Sequence, residues 1–440
     1  MSPAPAGVPH PGPQGVALSA FTVESATALG GPAWLRAGRQ SAVEAFAGAD
    51  MPTDALEEWR YSRIADLDLG RYMPATDGAP APDLGGLLAE LVGAAGAEAT
   101  LVRTVDGRLA SVAGEATVEI SDLADGETPP ATLAGQDPDP YATLNRAFAS
   151  SWLQLKAPAS SAAGTVVVVH HVGDGPRAVF PRISVEVARL AELNVIEILE
   201  GGHGAFVAPV ARLDVSDAGR LTYTQVQLLD GTAWEIASQS STVGRDATFV
   251  SAAVTLGGEY ARLRTESSLV APGANGRLLA LYFGSGSQMH DFRTVQHHAA
   301  AKTQSELLYK GVVSDNSHSV YSGLIRVDKG AAGTNAMQTN RNLVLHEGAH
   351  ADSVPNLEIE DNDVRCSHAS AVGPIADDQR FYLESRGVPP RVADRLIALG
   401  FMDELLEQLP VRQLAKPLRG MLAAKLGNVE QSRAEAVGNG

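Results

Sequence analysis

The stretch GTVVVV, residues 164–169, marks the point at which the texture of this chain changes. A β-branched run is stiff at χ1 and packs well on a pleated surface, so the segment reads as a buried strand. Short strand-like pieces follow at 183–187, 221–228, 247–256, 278–283, 320–327, 342–345 and 356–360. Turn-forming pairs separate them, among them Asp230-Gly231, Gly257-Gly258 and Asn275-Gly276. No helical pattern of any length interrupts them over roughly 200 residues. Short strands at loose spacing permit a sandwich, a propeller or a parallel β-helix. The spacing shows neither regular hairpin turns nor a blade signature, and a β-helix coil needs only an inward apolar face. The residues alone leave the three architectures open.

Outward from this core the patterns become helical. Residues 1–20 are rich in Pro, Ala and Gly, and are expected to form a disordered tail. A helix is predicted from Pro32, with Leu35, Ala42, Val43 and Phe46 at helical spacing. Residues 141–155 are read as another helix, with Leu144, Phe148, Trp152 and Leu155 on one face. After residue 375, DDQRFYLES (377–385) and the stripe Val392, Leu396, Leu399, Met402, Leu405, Leu406 and Leu409 mark a small helical domain. The expected organisation is a tail (1–20), a helical or mixed domain (21–160), a β core (161–375) and a C-terminal helical domain (376–440).

Composition narrows the function. The 440 residues carry a net charge of −17, which repels phosphate backbones and anionic lipid, so no nucleic-acid or membrane partner is expected. The single cysteine, Cys366, excludes an intrachain disulfide and suits a reducing compartment. The N-terminal MSPAPAGVPHPGPQG has neither a basic nor an apolar signal region, and no apolar run approaches the ~20 residues that span a bilayer. A cytoplasmic protein is expected.

His346-Glu347-Gly348-Ala349-His350 matches the H-E-x-x-H pattern, which binds zinc when a helix sets both imidazoles on one face. Here the preceding residues 342–345 alternate like a strand, the motif holds a glycine, and Pro355 follows soon after. In an extended chain residues four apart lie ~13 Å from each other, too far to share one zinc. A cytoplasmic zinc-dependent hydrolase using this motif stands as the alternative reading and is disfavoured. The pairs His170-His171 and His297-His298 would point to opposite strand faces and are read as surface or turn residues. No phosphate-binding loop and no G-x-S-x-G elbow occurs, so neither an ATP site nor a serine hydrolase is expected.

Asp363-Val364-Arg365-Cys366-Ser367-His368 closes the β region. On a strand, Cys366 and His368 project to one face ~7 Å apart at Cα, a sulfur and a nitrogen ligand suited to iron or zinc. Residues 362–373 (NDVRCSHASAVG) resemble the D-V-K-C-S-H-G-A-T-x-G hallmark of the SufB/SufD family in its SufD form. The runs QTNRNLVL (338–345), FYLESRG (381–387), EEWRYS (57–62) and the Asn145–Phe148 stretch are similar to further family motifs, so the likeness extends from about residue 54 to 410. SufB commonly has E-H-E-A where this chain has Ser367-His368-Ala369-Ser370, so Cys-Ser-His favours the SufD form. Ala369 and Ser370 depart from the family's glycine and alanine.

The resemblance implies a mainly β fold: a right-handed parallel β-helix core with N-terminal and C-terminal helical domains. It implies a non-enzymatic scaffold of iron–sulfur cluster assembly, in a heterodimer with a SufB-like paralogue and with a SufC-like ATPase on the C-terminal helical domain. Cys366 and His368 are carried over as interface ligands of a transient cluster shared with SufB. One cysteine cannot supply the four ligands a cluster usually takes, so a second chain must complete it.

Overall fold

The computed structural model describes residues 20–76, 80–114, 117–126 and 137–438. The tail expected over 1–20 lies, but for Ala20, outside them. The core is a parallel β-solenoid, which resolves the three-way choice left by strand spacing. Each coil gives one strand to each of two sheets. The first sheet runs through Leu153–Ala157, Arg182–Val187, Val210–Val215, Trp234–Val243, Tyr260–Leu269, Met289–His298, His318–Val327 and His350–Ile359. The second runs through Thr100–Val105, Ala162–Val172, Glu192–Gly201, Arg220–Leu229, Thr248–Thr255, Asn275–Gly284, Gln304–Val313, Thr334–Val344 and Val364–Pro374. Both ladders therefore begin before residue 161.

Parallel register sets residues beside ones about a coil earlier, from 26 positions (Ser238 to Arg264) to 32 (Ser322 to Val354), except at the first pair of the second sheet, where the offset is 66 (Thr100 to Val166). Between the first-sheet and second-sheet strands the chain turns a corner on a residue in the left-handed region. Ser160, Leu190, Ala218, Asp246 and Lys302 take φ of 59°, 59°, 54°, 53° and 59° there. Gly273 and Gly333 occupy the same corner in their coils, with φ of 78° and 76°. Left-handed backbone is costly for a residue with a Cβ. The corner is held by backbone bonds to the next coil: Leu190 N–H to Asp217 O, Ala218 N–H to Arg245 O, and Lys302 N–H to Ala332 O.

The solenoid interior is aliphatic in the early coils (Val166, Val168, Val185, Val195, Leu213) and aromatic later. Tyr282 stacks on Phe292 with ring centroids 4.5 Å apart, and Tyr309 and Tyr321 continue the column at 5.4 Å. A network of polar groups is buried among them with partners, as desolvation favours. Glu197 takes hydrogen bonds from Tyr223 Oη (2.6 Å) and Gln225 Nε2 (2.9 Å) and lies 3.1 Å from His170 Nε2, while Thr104 Oγ1 meets His170 Nδ1 at 2.7 Å. His170 and His298 are thus fully buried, contrary to the surface reading, because both rings find partners: Thr104 and Glu197 in neighbouring coils for His170, and Thr303 and Ser305 just beyond it along the chain for His298. Their neighbours His171 and His297 face outward.

The two outer faces are covered differently. Against the first sheet lie the helices Val23–Ala28, Ala33–Ala47 and Pro140–Phe148, sharing a core of Leu35, Phe46, Trp59, Leu144, Phe148, Phe206 and Trp234. Asp139 caps the last of these helices, accepting from Tyr141 N and Ala142 N at 2.9 Å. That helix stops at Phe148, short of the predicted end at 155. Leu153–Ala157 instead pairs with Arg182–Val187, so Leu155 enters the solenoid interior, where sheet pairing outweighs local periodicity. Against the second sheet lie Gly86–Ala94, Pro390–Leu406 and the long helix Ala415–Gly438, whose Met402, Leu405, Leu418 and Leu422 bury Ile196, Val254, Leu281 and Phe283. The helix Asp377–Ser385 buries nothing and leaves Phe381 and Tyr382 exposed.

A charged clasp fixes the N-terminal layer. Asp291, fully buried, accepts from Arg262 Nη1 and Arg293 Nε at 2.6 Å each and from Tyr260 Oη at 2.9 Å. The same guanidiniums reach the EEWRYS segment: Arg262 Nη2 donates to Glu58 O (2.7 Å), Arg293 Nη2 donates to Arg60 O (2.6 Å), and Arg262 stacks 3.7 Å over the Trp59 ring.

The ends of the solenoid differ too. At the start, Arg108–Ala113 and Glu119–Asp122 pair antiparallel with the first strand of each ladder. At the far end, His350–Ile359 and Val364–Pro374 are terminal strands with no further strand beside them among the described residues.

Candidate functional site: a sulfur and a nitrogen ligand on the open rim

Val364–Pro374 pairs in parallel with Thr334–Val344, placing Cys366 beside Ala336 and His368 beside Gln338. Ala336 and Gln338 are buried in the solenoid interior, while Met337 between them is exposed. Alternation along the strand therefore turns Cys366 and His368 to the inward side of the last coil. No further coil covers that side, so His368, Ser370 and Val372 remain exposed. The predicted side-by-side placement on one extended strand is what the structure shows.

The surroundings differ between the two. Cys366 is half-buried and packs with Val364 against Ile325, Val327, Ala331 and Ala336. Burial pushes its thiol above the ordinary range, and a backbone hydrogen bond at Ala336 offsets this in part. A thiol raised in this way is protonated at neutral pH. His368 stands over a polar floor. Gln338 Nε2 donates to Tyr321 Oη, which meets Thr294 Oγ1 at 3.2 Å, and Asn342 Nδ2 donates to Asn340 Oδ1 at 2.8 Å. Gln338 Oε1 is buried with no hydrogen-bond partner. Sequence reading missed this floor: Gln338, Asn340 and Asn342 alternate along one strand, but Tyr321 and Thr294 join them through links spanning 17 and 27 residues.

The arrangement offers one thiolate and one imidazole on a bare strand edge. Unpaired edge N–H and C=O groups are a template for a strand of another chain. Rim residues Leu357, Ile359 and Val372 add exposed apolar surface.

The H-E-x-x-H motif is not helical. His346, Glu347, Gly348 and Ala349 form the turn before the strand that His350 begins. His346 Nδ1 accepts from Asp315 N at 2.9 Å, whereas His350 lies beside Asp352 and His318. The two histidines have separate partners, so the catalytic zinc arrangement is not formed. Among the described residues no helix is long and apolar enough to cross a membrane.

Residues 169–401 match the family model for the SUF system FeS cluster assembly, SufBD core domain. An iron–sulfur cluster assembly SufBD family protein of Mycobacterium tuberculosis is 33% identical over 279 residues, covering 62% of this chain and 70% of that protein. The iron–sulfur cluster assembly protein SufD of Escherichia coli is 27% identical over 389 residues, 86% of this chain and 89% of its own length. SufD of Bacillus subtilis is 28% identical over 218 residues, 49% and 50%.

Proposed function

Because this chain belongs to the SufBD family of the SUF iron–sulfur cluster assembly system, we propose that it is a SufD-type scaffold subunit, without catalysis of its own, acting in the cytoplasm. The observation that carries this is the strand Val364–Pro374, which sets Cys366 and His368 on the uncapped rim. Its cargo is a nascent cluster, held between these two side chains and ligands from a SufB-like paralogue whose strands meet the bare edges. A donor scaffold benefits from such a divided site: four cysteines in one chain would retain the cluster, while a thiolate and an imidazole facing a second subunit release it when the interface shifts.

Binding requires the Cys366 thiol to lose its proton. Its raised pKa makes cluster retention weaken as pH falls, because protons compete with the metal. The exposed Phe381 and Tyr382, with Val392 and Leu396 on the next helix, give a SufC-like ATPase an apolar platform. ATP hydrolysis belongs to that partner.

The test is co-expression with the paralogue and the ATPase, followed by iron and sulfide analysis of the purified complex. His368→Ala and Cys366→Ser are expected to leave the complex assembled and to lower cluster content several-fold. An unchanged cluster yield from the double variant would refute the ligand role.

A further inference from the structure

We infer that His318, His350 and Asp352 form a second metal site on the outer face of the last two coils, taking one borderline divalent transition ion such as zinc, cobalt or iron(II). It is independent of the Cys366–His368 rim. Parallel pairing puts His318 and His350 at the same register in adjacent strands, and Asp352 follows His350 by two residues on the same face. Ser319, Tyr321 and Ala351 are the buried, inward members of these strands, so the three candidate ligands point outward.

The donor atoms already converge. One ligand atom from each residue lies within 4.8 Å of the other two. His318 Nε2 is 2.7 Å from Asp352 Oδ2, and His350 Nε2 is 3.4 Å from Asp352 Oδ1. The imidazole centroids are 5.2 Å apart. A cation entering between them needs bonds of ~2.0–2.2 Å, reached by rotating side chains whose backbones are fixed in two hydrogen-bonded strands. The His318–Asp352 hydrogen bond is exchanged for coordination in that step.

Donor chemistry selects the ion. Two imidazoles and one carboxylate suit zinc and non-haem iron(II) and leave positions for water, whereas calcium and magnesium favour all-oxygen shells. Access is open, since the His350 side chain is 68% exposed while His318 and Asp352 are 28% and 24% exposed. This also assigns a role to half of the H-E-x-x-H motif: His350 ligates, in company with a histidine 32 residues earlier, while His346 stays with Asp315.

The experiment is equilibrium dialysis of the tag-free full-length chain against zinc and cobalt, with metal measured by mass spectrometry. The Cys366→Ser/His368→Ala chain serves as background, so failure of the rim reading cannot imitate failure here. That chain is expected to keep one bound equivalent and a cobalt visible band. His318→Ala, His350→Ala and Asp352→Asn in the same background should each weaken binding by more than the ~10–100-fold that loss of an outer-shell partner costs. His346→Ala should change nothing. Absence of binding by the background chain, or equal binding by His318→Ala/His350→Ala, would overturn the site.

Discussion

Replacing Asp291 by Asn tests whether the charged clasp holds the N-terminal layer on the solenoid. Asp291 bridges Arg262 and Arg293, which contact it at 2.6 Å each. Burial alone would push its carboxyl up, but the two guanidiniums and their hydrogen bonds outweigh this and hold it below the usual range. Removing one partner of a buried ionic group leaves uncompensated charge and costs ~3–5 kcal/mol. Here two cations lose their shared counter-ion, so the upper part of that range is expected. The half-exposed pair Arg63–Glu259, at 3.2 Å, is the internal comparison: Glu259→Gln should cost at most ~1 kcal/mol. Urea titration followed by tryptophan fluorescence measures both, and limited proteolysis reports release of the Trp59 segment. Since the folded carboxyl titrates below its unfolded value, its stabilisation is present above the unfolded pKa of ~3.9 and is lost as pH falls through the folded one. An Asp291→Asn protein within ~1 kcal/mol of the parent, with an unchanged digest, would refute the clasp.

Other expectations follow from the interior. Burial pushes Glu235 up to about 8, with only Gln227 donating to it. The folded state then holds a proton that the unfolded chain releases between about pH 4.5 and 8, so this group destabilises the fold as pH rises through that window. Glu235→Gln should be neutral near pH 4.5 and stabilising by up to ~5 kcal/mol above pH 8, read from urea midpoints at both ends. A pH-independent difference would contradict the assignment. Gly323→Ala would drive a methyl into Tyr321 and Gln338 and cost ~1–3 kcal/mol by thermal melting, while Gly231→Ala, which meets nothing, should be nearly silent. Equal melts would show that the column repacks freely.

The strands and flanking helices were legible because their signals are local. The Cys-Ser-His strand could be placed by alternation, and the helix 377–385 by its pattern and Gly387. The residues alone left the coil open, and the family resemblance supplied it. Leu190, Ala218, Asp246, Gly273 and Lys302 occupy one corner yet share no chemistry, so backbone geometry repeats without a repeating residue. For the same reason buried pairs such as His170 with Glu197, or Arg262 with Asp291, were invisible: their partners sit a full turn away, where no spacing rule looks. Leu155 misled because helix and strand periodicities both suit it until pairing decides.

The corner column has a consequence for how such a chain can change length. Corners follow one another at 27 residues (Asp246 to Gly273) to 31 (Lys302 to Gly333), so an extra residue is taken up in a turn, whereas one placed inside a strand would invert its sidedness, carrying aromatics out and charges in. Duplication or loss of an entire turn conserves sidedness throughout. Growth is therefore quantised, and each added turn would shift the Cys366–His368 strand along the axis by one interstrand step of ~4.8 Å with its chemistry untouched.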